Sequence, residues 1–296
     1  MKLKELIRKL DEEFDVANVQ DEWQWLFDEL FIRKSLKSFR KPMHHTGLAV
    51  KNSDDVKKIY TAFSPSTYVL EQIRKRRIKR GLLVVKHPFD WDGRDIGGGF
   101  IKLSERDFQL MEEMEVSLYS LHTPMDKNRN DKIVSTAYAF AKVLGMEVEE
   151  EFAPEGERNP KLLLGLIGKV KEKDFDSLVK RLNSILKYKC KVMKKNNEVG
   201  RVAIVTGGGF IPELMREAKN KRCGTYITGI TTPNASEYDR NNYPPKFKEI
   251  KKVDINVIGA SHYLTEKWAM EFSIPYFEQF CDSEFIEDKS AIKKLE

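Results

Sequence analysis

From Leu3 to about residue 32 apolar positions recur at helical spacing, with Leu3, Ile7, Leu10 and Phe14 on one stripe and Trp23, Leu26, Phe27 and Leu30 on a second. A basic stretch, KSLKSFRKP, follows, and beyond it short apolar runs alternate with helical ones. GLAV, GLLVVKHP and VSLYSL read as strands, whereas VKKIYTAF, YVLEQIRK, FQLMEEME and KIVSTAYAFAKVLGM read as helices. The polar, acidic segment EVEEEFAPEGERNPK carries two prolines and reads as a domain junction. After it the rhythm resumes. LLLGLIGKV, RVAIVTG, TYITGI and INVIGA are expected strands; FDSLVKRLNSILK, IPELMREAK and YLTEKWAMEF are expected helices, and TTPNASEYDRNNYPP is a loop.

This alternation predicts an α/β protein of two lobes, each a mixed sheet flanked by helices, with a site between them. The boundary falls between residues 1–152 and 153–296, with the C-terminal ~20 residues returning to the first lobe.

Composition narrows the class. A hydrophobic content of 41% and a charged content of 33% over 296 residues fit a folded chain with a real core. No apolar run reaches the ~20 residues that cross a bilayer, so no membrane partner is expected. The start, MKLKELIRKLDEEF, has mixed charge and no apolar signal core, which points to a cytoplasmic location. Cys190, Cys223 and Cys281 are too few and too far apart for a disulfide framework or a CxxC knuckle. Net charge is +6, and its densest basic run is Arg74-Lys75-Arg76-Arg77-Ile78-Lys79-Arg80. That run is either a solvated helix end or a phosphate-contacting patch, and it is the only support for a nucleic-acid partner.

The histidines carry more information. His44 and His45 precede GLAV, whereas His87, His122 and His262 each follow an expected strand: LLVVKH, VSLYSLH and INVIGASH. Ligands of open α/β sheets bind beyond the carboxyl ends of strands, so three such histidines mark a candidate site. His262 and Glu266 share one helix face behind a Ser261 cap, away from the apolar stripe of Leu264, Trp268 and Phe272. They are either an exposed i,i+4 pair or two ligands of one cation. Asp126 is a weak helix cap, because Asn130 or Asp131 is better placed before the stripe that starts at Ile133. Imidazole and carboxylate donors without thiolate suit Zn, Mn, Fe, Co or Ni, and such centres polarise a substrate oxygen or activate water. Gly207-Gly208-Gly209, between a strand and a helix, is either a tight turn or a set of amides facing an anion, and Gly97-Gly98-Gly99 lies in a site-adjacent loop.

Taken in order, the HP after GLLVVK, the HTPMD, the strand–GGG–helix and SHYLTEKW resemble the motifs of the NIF-three-like dinuclear-metal family, also described as type 2 GTP cyclohydrolase I. Its members show HHP, SHTxxD, a Gly-rich strand–helix turn, TGE or TGD, and GHYxSE; the resemblance runs from about Gly47 to Glu266. It implies a pair of metals between two lobes, a hexameric ring of identical subunits, and His87, Asp126, His262 and Glu266 as metal ligands, with His122 beside them as a group lining the site or supporting a ligand; in the leading functional reading His122 is the catalytic proton shuttle. Two departures stand out. Lys86 replaces the first histidine of HHP, and TGITTPN lacks the acidic residue after TG. A protonated lysine has no lone pair to offer, so one or two divalent transition metals per chain are expected, with the Lys86 position favouring fewer than two. The implied function is a metal-dependent hydrolase acting on a small, nucleotide-like substrate, with GTP ring opening as the concrete reaction. The alternative is a non-catalytic, metal-stabilised ring scaffold that binds protein or nucleic acid.

Overall fold

The computed structural model describes residues 1–19, 46–91, 100–101, 103–155, 159–229 and 247–293. In chain order the first half forms α1 (Leu3–Glu13), β1 (Gly47–Val50), β2 (Lys58–Ala62), α2 (Thr67–Lys75), β3 (Gly81–Val85), the short pair β4 (Asp90–Trp91) and β5 (Phe100–Ile101), α3 (Glu105–Glu113), β6 (Ser117–Ser120), α4 (His122–Asp126) and α5 (Thr136–Leu144). The second half forms β7 (Glu147–Glu155), β8 (Asn159–Lys169), α6 (Phe175–Leu186), β9 (Lys191–Met193), β10 (Arg201–Val205), α7 (Pro212–Asn220), β11 (Cys223–Thr228), β12 (Asn256–Gly259), α8 (His262–Phe272), α9 (Ile274–Phe277), β13 (Asp282–Phe285) and α10 (Lys289–Lys293).

Two mixed sheets result, one in the order β1-β6-β3-β2-β13 and the other β7-β8-β10-β11-β12-β9. Their inner strands β2, β3 and β6, and β10, β11 and β12, run parallel within each sheet, so each sheet has a row of carboxyl ends. β13 pairs in parallel with β2, which brings the end of the described chain back to the first sheet. Helices α5 and α8 form a layer shared by both sheets. Phe140 and Leu264 pack with the second sheet's Ile204 and Ile227, while Ala139 and Met270 pack with the first sheet's Ile59 and Val84. The outer faces are covered by α2 and α3 on the first sheet and by α7 on the second. This is the α/β architecture of mixed sheets and flanking helices that the apolar pattern predicts. Among the described residues, no helix is long and apolar enough to cross a membrane.

Three local expectations are corrected. VKKIYTAF contains a strand: Ile59 buries into one core while Tyr60 and Ala62 bury into the other, the alternation of a pleated strand. Val56, Ile59, Tyr60 and Phe63 also satisfy helical spacing, which is why periodicity alone misassigns so short a run. Of the expected junction EVEEEFAPEGERNPK, residues 147–155 and 159–161 belong instead to the antiparallel strands β7 and β8, with Glu147 opposite Lys169 and Phe152 opposite Gly165. Its acidity is that of an edge strand: Glu149 pairs with Lys169 and Arg201, and Glu150 with Arg201 and Lys221. Helix α5 starts after Ser135, not at Asn130 or Asp131; Asp131 accepts a hydrogen bond from the Ile133 amide and pairs with Arg129. The stripe of Trp23, Leu26, Phe27 and Leu30, the paired His44 and His45, the Gly97–Gly99 turn and the whole loop TTPNASEYDRNNYPP lie outside the described residues.

Candidate metal centre

The carboxyl ends of both sheets meet at one point. Pairing continues beyond β3, where the Lys86 amide donates to Ala62 O and the His87 amide to Phe63 O, so both side chains are held at the sheet's rim. From the second sheet, β12 ends at Gly259 and α8 begins with His262. His87 Nε2 lies 2.9 Å and His262 Nε2 3.2 Å from the same oxygen, Oε2 of Glu266. Glu266 is 3% exposed and His262 7%. The choice between an exposed pair and a cation site is therefore decided against exposure: α8 buries the face bearing His262 and Glu266 along with Leu264, while Trp268 and Phe272 of its apolar stripe are half-buried. Phe63 packs against both imidazoles, tilted toward His87 with ring centroids 4.7 Å apart and edge-on to His262 at 5.9 Å.

Close approach is achieved with glycine. Gly207, just past β10, adopts φ +58°, a left-handed conformation costly for other residues, and its amide donates to Thr265 Oγ1. A β-carbon there would come within 1.9 Å of Glu266 Oε1 and 2.7 Å of His262 Nε2. At Gly229, past β11, it would come within 2.7 Å of the His262 Cα and 2.6 Å of Gly207 O. The Gly-rich turn thus serves the approach of backbone to ligand atoms. The Gly207 amide is engaged by Thr265, and α7 begins only at Pro212, which argues against the anion-cradle reading. Ser261 takes φ +68°, a strained conformation for a serine, and its hydroxyl accepts from the Leu264 amide at the head of α8.

Charge is concentrated here. Lys86 is wholly buried, with Nζ 2.9 Å from Asp126 Oδ2 and 3.7 Å from Glu266 Oε2. Burial opposes ionisation of Glu266, but His262 and Lys86, with the hydrogen bonds from both imidazoles, hold its carboxyl well below the usual range. Burial and then the Lys86 charge push His87 well below the ordinary histidine value, so its ring is neutral and has a lone pair to donate. Burial raises the Asp126 carboxyl, and Lys86 opposes that rise. Asp126 Oδ1 accepts from Thr136 Oγ1 at 2.8 Å, which in turn accepts from Thr206 Oγ1 at 3.0 Å.

The donor set fits a metal ion. His87, His262 and Glu266 each offer one ligand atom, all within 4.8 Å of one another, and they are the one such group found among the described residues. Having no β-carbon, Gly207 lets the backbone lie against those atoms. Two imidazole nitrogens and a carboxylate oxygen suit Zn, Mn, Fe, Co or Ni.

The model of one family, Duf34/NIF3 (NGG1p interacting factor 3), matches residues 34–288. The chain belongs to that family. Solved structures agree on the fold. The protein ybgI, of unknown function, is 20% identical with a TM-score of 0.70, covering 97% of this chain and 98% of its own. Reduced HcgD from Methanocaldococcus jannaschii is 19% identical with a TM-score of 0.58, covering 97% of each chain. TTHA1606 from Thermus thermophilus is 17% identical with a TM-score of 0.63, covering 97% and 98%. Comparison with curated protein sequences gave no match.

In this Duf34/NIF3 chain the structure brings together four of the five expected site residues directly: His87, His262 and Glu266 in the cluster, and His122 beside it, with its ring 4.8 Å from that of His87. Asp126 adjoins the cluster through Lys86 and is not among its mutually close donors. Sequence reasoning missed Phe63, Thr136, Thr206 and the close-approach role of Gly207 and Gly229. Phe63 was hidden by the misassigned strand, and the threonines carry no local signal. Of the basic run, Arg74 pairs with Glu71, Arg76 with Glu284, and Lys79 and Arg80 with Glu115, which reduces what the run can offer a phosphate backbone.

Proposed function

We propose that this chain is a metal-dependent hydrolase acting on a small, nucleotide-like substrate. The observation that carries the reading is the buried His87–His262–Glu266 cluster with a further imidazole, His122, at its edge. A divalent ion held there would supply Lewis acidity toward a substrate oxygen or water. Burial lowers His87 and neighbouring positive charge lowers Glu266, directions that favour the neutral imidazole and ionised carboxylate a ligand uses. His122 is only partly buried while His87 is buried, which supports His122 as the imidazole that carries a proton between the site and solvent. In this reading it is the catalytic proton shuttle.

The substrate class rests on the family resemblance, which makes GTP ring opening the first reaction to assay. A turnover screen over nucleotides, with Mn, Zn or Fe added to stripped protein, should reveal metal-dependent product that His122→Ala loses. Absence of metal-dependent turnover with every nucleotide removes the hydrolase reading. The same resemblance supports a homo-hexamer, for which light scattering at micromolar concentration is the check.

A further inference from the structure

A fully buried lysine demands partners, and Lys86 has two carboxylates from two different helices: Asp126 at the end of α4 and Glu266 on α8. Its ammonium shares Glu266 Oε2 with both imidazoles, so it stands within the same cluster as the metal donors. We propose that Lys86 is a built-in cation that takes the place of a second metal ion. The cluster then holds one divalent ion per chain on His87, His262 and Glu266, with Asp126 as the counter-ion of the ammonium and not a ligand. This inference rests on the metal reading above.

Three observations converge on it. An ammonium has donors only, so Lys86 cannot ligate in the position it occupies. Asp126 has both oxygens engaged, Oδ2 by Lys86 and Oδ1 by Thr136, whose own hydroxyl is fixed by Thr206 from the second sheet. That relay sets Asp126 toward the lysine, and the donor group within 4.8 Å excludes it. Charge points the same way. Asp126 and Glu266 bring two negative charges and Lys86 cancels one; a single divalent ion already turns the cluster positive. A second would sit beside both an ammonium and another metal, and among the described residues the donor group holds one carboxylate, Glu266, in a buried site where repulsion is weakly screened.

The test is metal stoichiometry. Protein is stripped, supplied with excess Zn²⁺ or Mn²⁺ in separate arms, desalted and analysed for metal per chain. Wild type should retain close to one ion, Asp126→Asn should keep it, and Lys86→His should rise toward two. Two ions in wild type, loss of the ion in Asp126→Asn, or an unchanged ratio in folded Lys86→His would each overturn the proposal. If Lys86→His does not fold, the wild-type and Asp126→Asn ratios still decide. A wild type that retains no ion overturns the metal reading and this inference together, whereas two ions overturn this inference alone.

Discussion

The end of β3 in the first sheet and the end of β12 in the second each deliver a histidine to Glu266, by different physical means. At β3 the strand pairing simply continues through Lys86 and His87, and the side chains are held by charge and ring packing: Lys86 on Asp126, Phe63 on His87. At β12 the backbone itself is bent. Ser261 takes a positive φ, and Gly207 and Gly229 clear the space into which His262 and Glu266 fit. Electrostatic errors should therefore act through the first wall and steric errors through the second, with Glu266 answering to both.

The largest effect is expected at that shared residue. Glu266→Gln removes the carboxylate facing two imidazoles and a buried ammonium, and should cost about 3 kcal/mol in metal-free protein while abolishing metal retention. Denaturant unfolding of stripped wild type and variant gives the difference; a change under about 0.5 kcal/mol would show that the pairing adds little. Next comes the steric wall. Gly207→Ala places a methyl against a carboxylate that three partners pin, at a φ that costs a further ~1 kcal/mol, so about 2 kcal/mol is expected. Metal affinity, read by competition with a chelator, should fall about 10–100-fold, and unchanged affinity would sink the account of the turn.

A smaller effect has the opposite sign. Ser261→Gly loses a cap worth only a few tenths of a kcal/mol when glycine replaces it, but relieves ~1 kcal/mol or more of backbone strain. The variant should melt higher than wild type and keep its metal; a lower melting temperature would show that the serine's conformation is not strained.

The smallest effect lies on the first sheet, where Glu284 of β13 binds Arg76 and Lys58. The Arg76 hydrogen bonds, against a burial that works the other way, lower the Glu284 carboxyl from its ordinary value. A carboxyl lowered by folding stabilises above its unfolded pKa of about 4.3, and that stabilisation is lost as pH falls through the folded value. Glu284→Gln should thus cost under about 1 kcal/mol at neutral pH, since the pair is partly exposed, and nothing in strong acid. A deficit that persists unchanged at low pH would assign the loss to packing instead.

Much of the fold is legible in the chain because strands and helices bury one face at a local period. GLLVV, VSLYSL and RVAIV announce themselves, as do the amphipathic FDSLVKRLNSILK and IPELMREAK. Failures occurred where two periods coincide, as in VKKIYTAF, or where charge masks an edge strand, as in EVEEEFAP. Within the site, the strand-ending positions of His87, His122 and His262 were legible for the same local reason.

By itself the sequence determined which chemistries stand at strand ends: three imidazoles, a carboxylate one turn after His262, and a lysine next to His87. Only the tertiary structure decided that His87 reaches Glu266 across 179 positions of chain, that Asp126 faces Lys86 and not the donor cluster, and that the Gly207 turn opens onto ligand atoms. Periodicity is a property of neighbours along the chain, whereas which buried charges share an oxygen depends on how two sheets close on one another, and no local pattern encodes that distance.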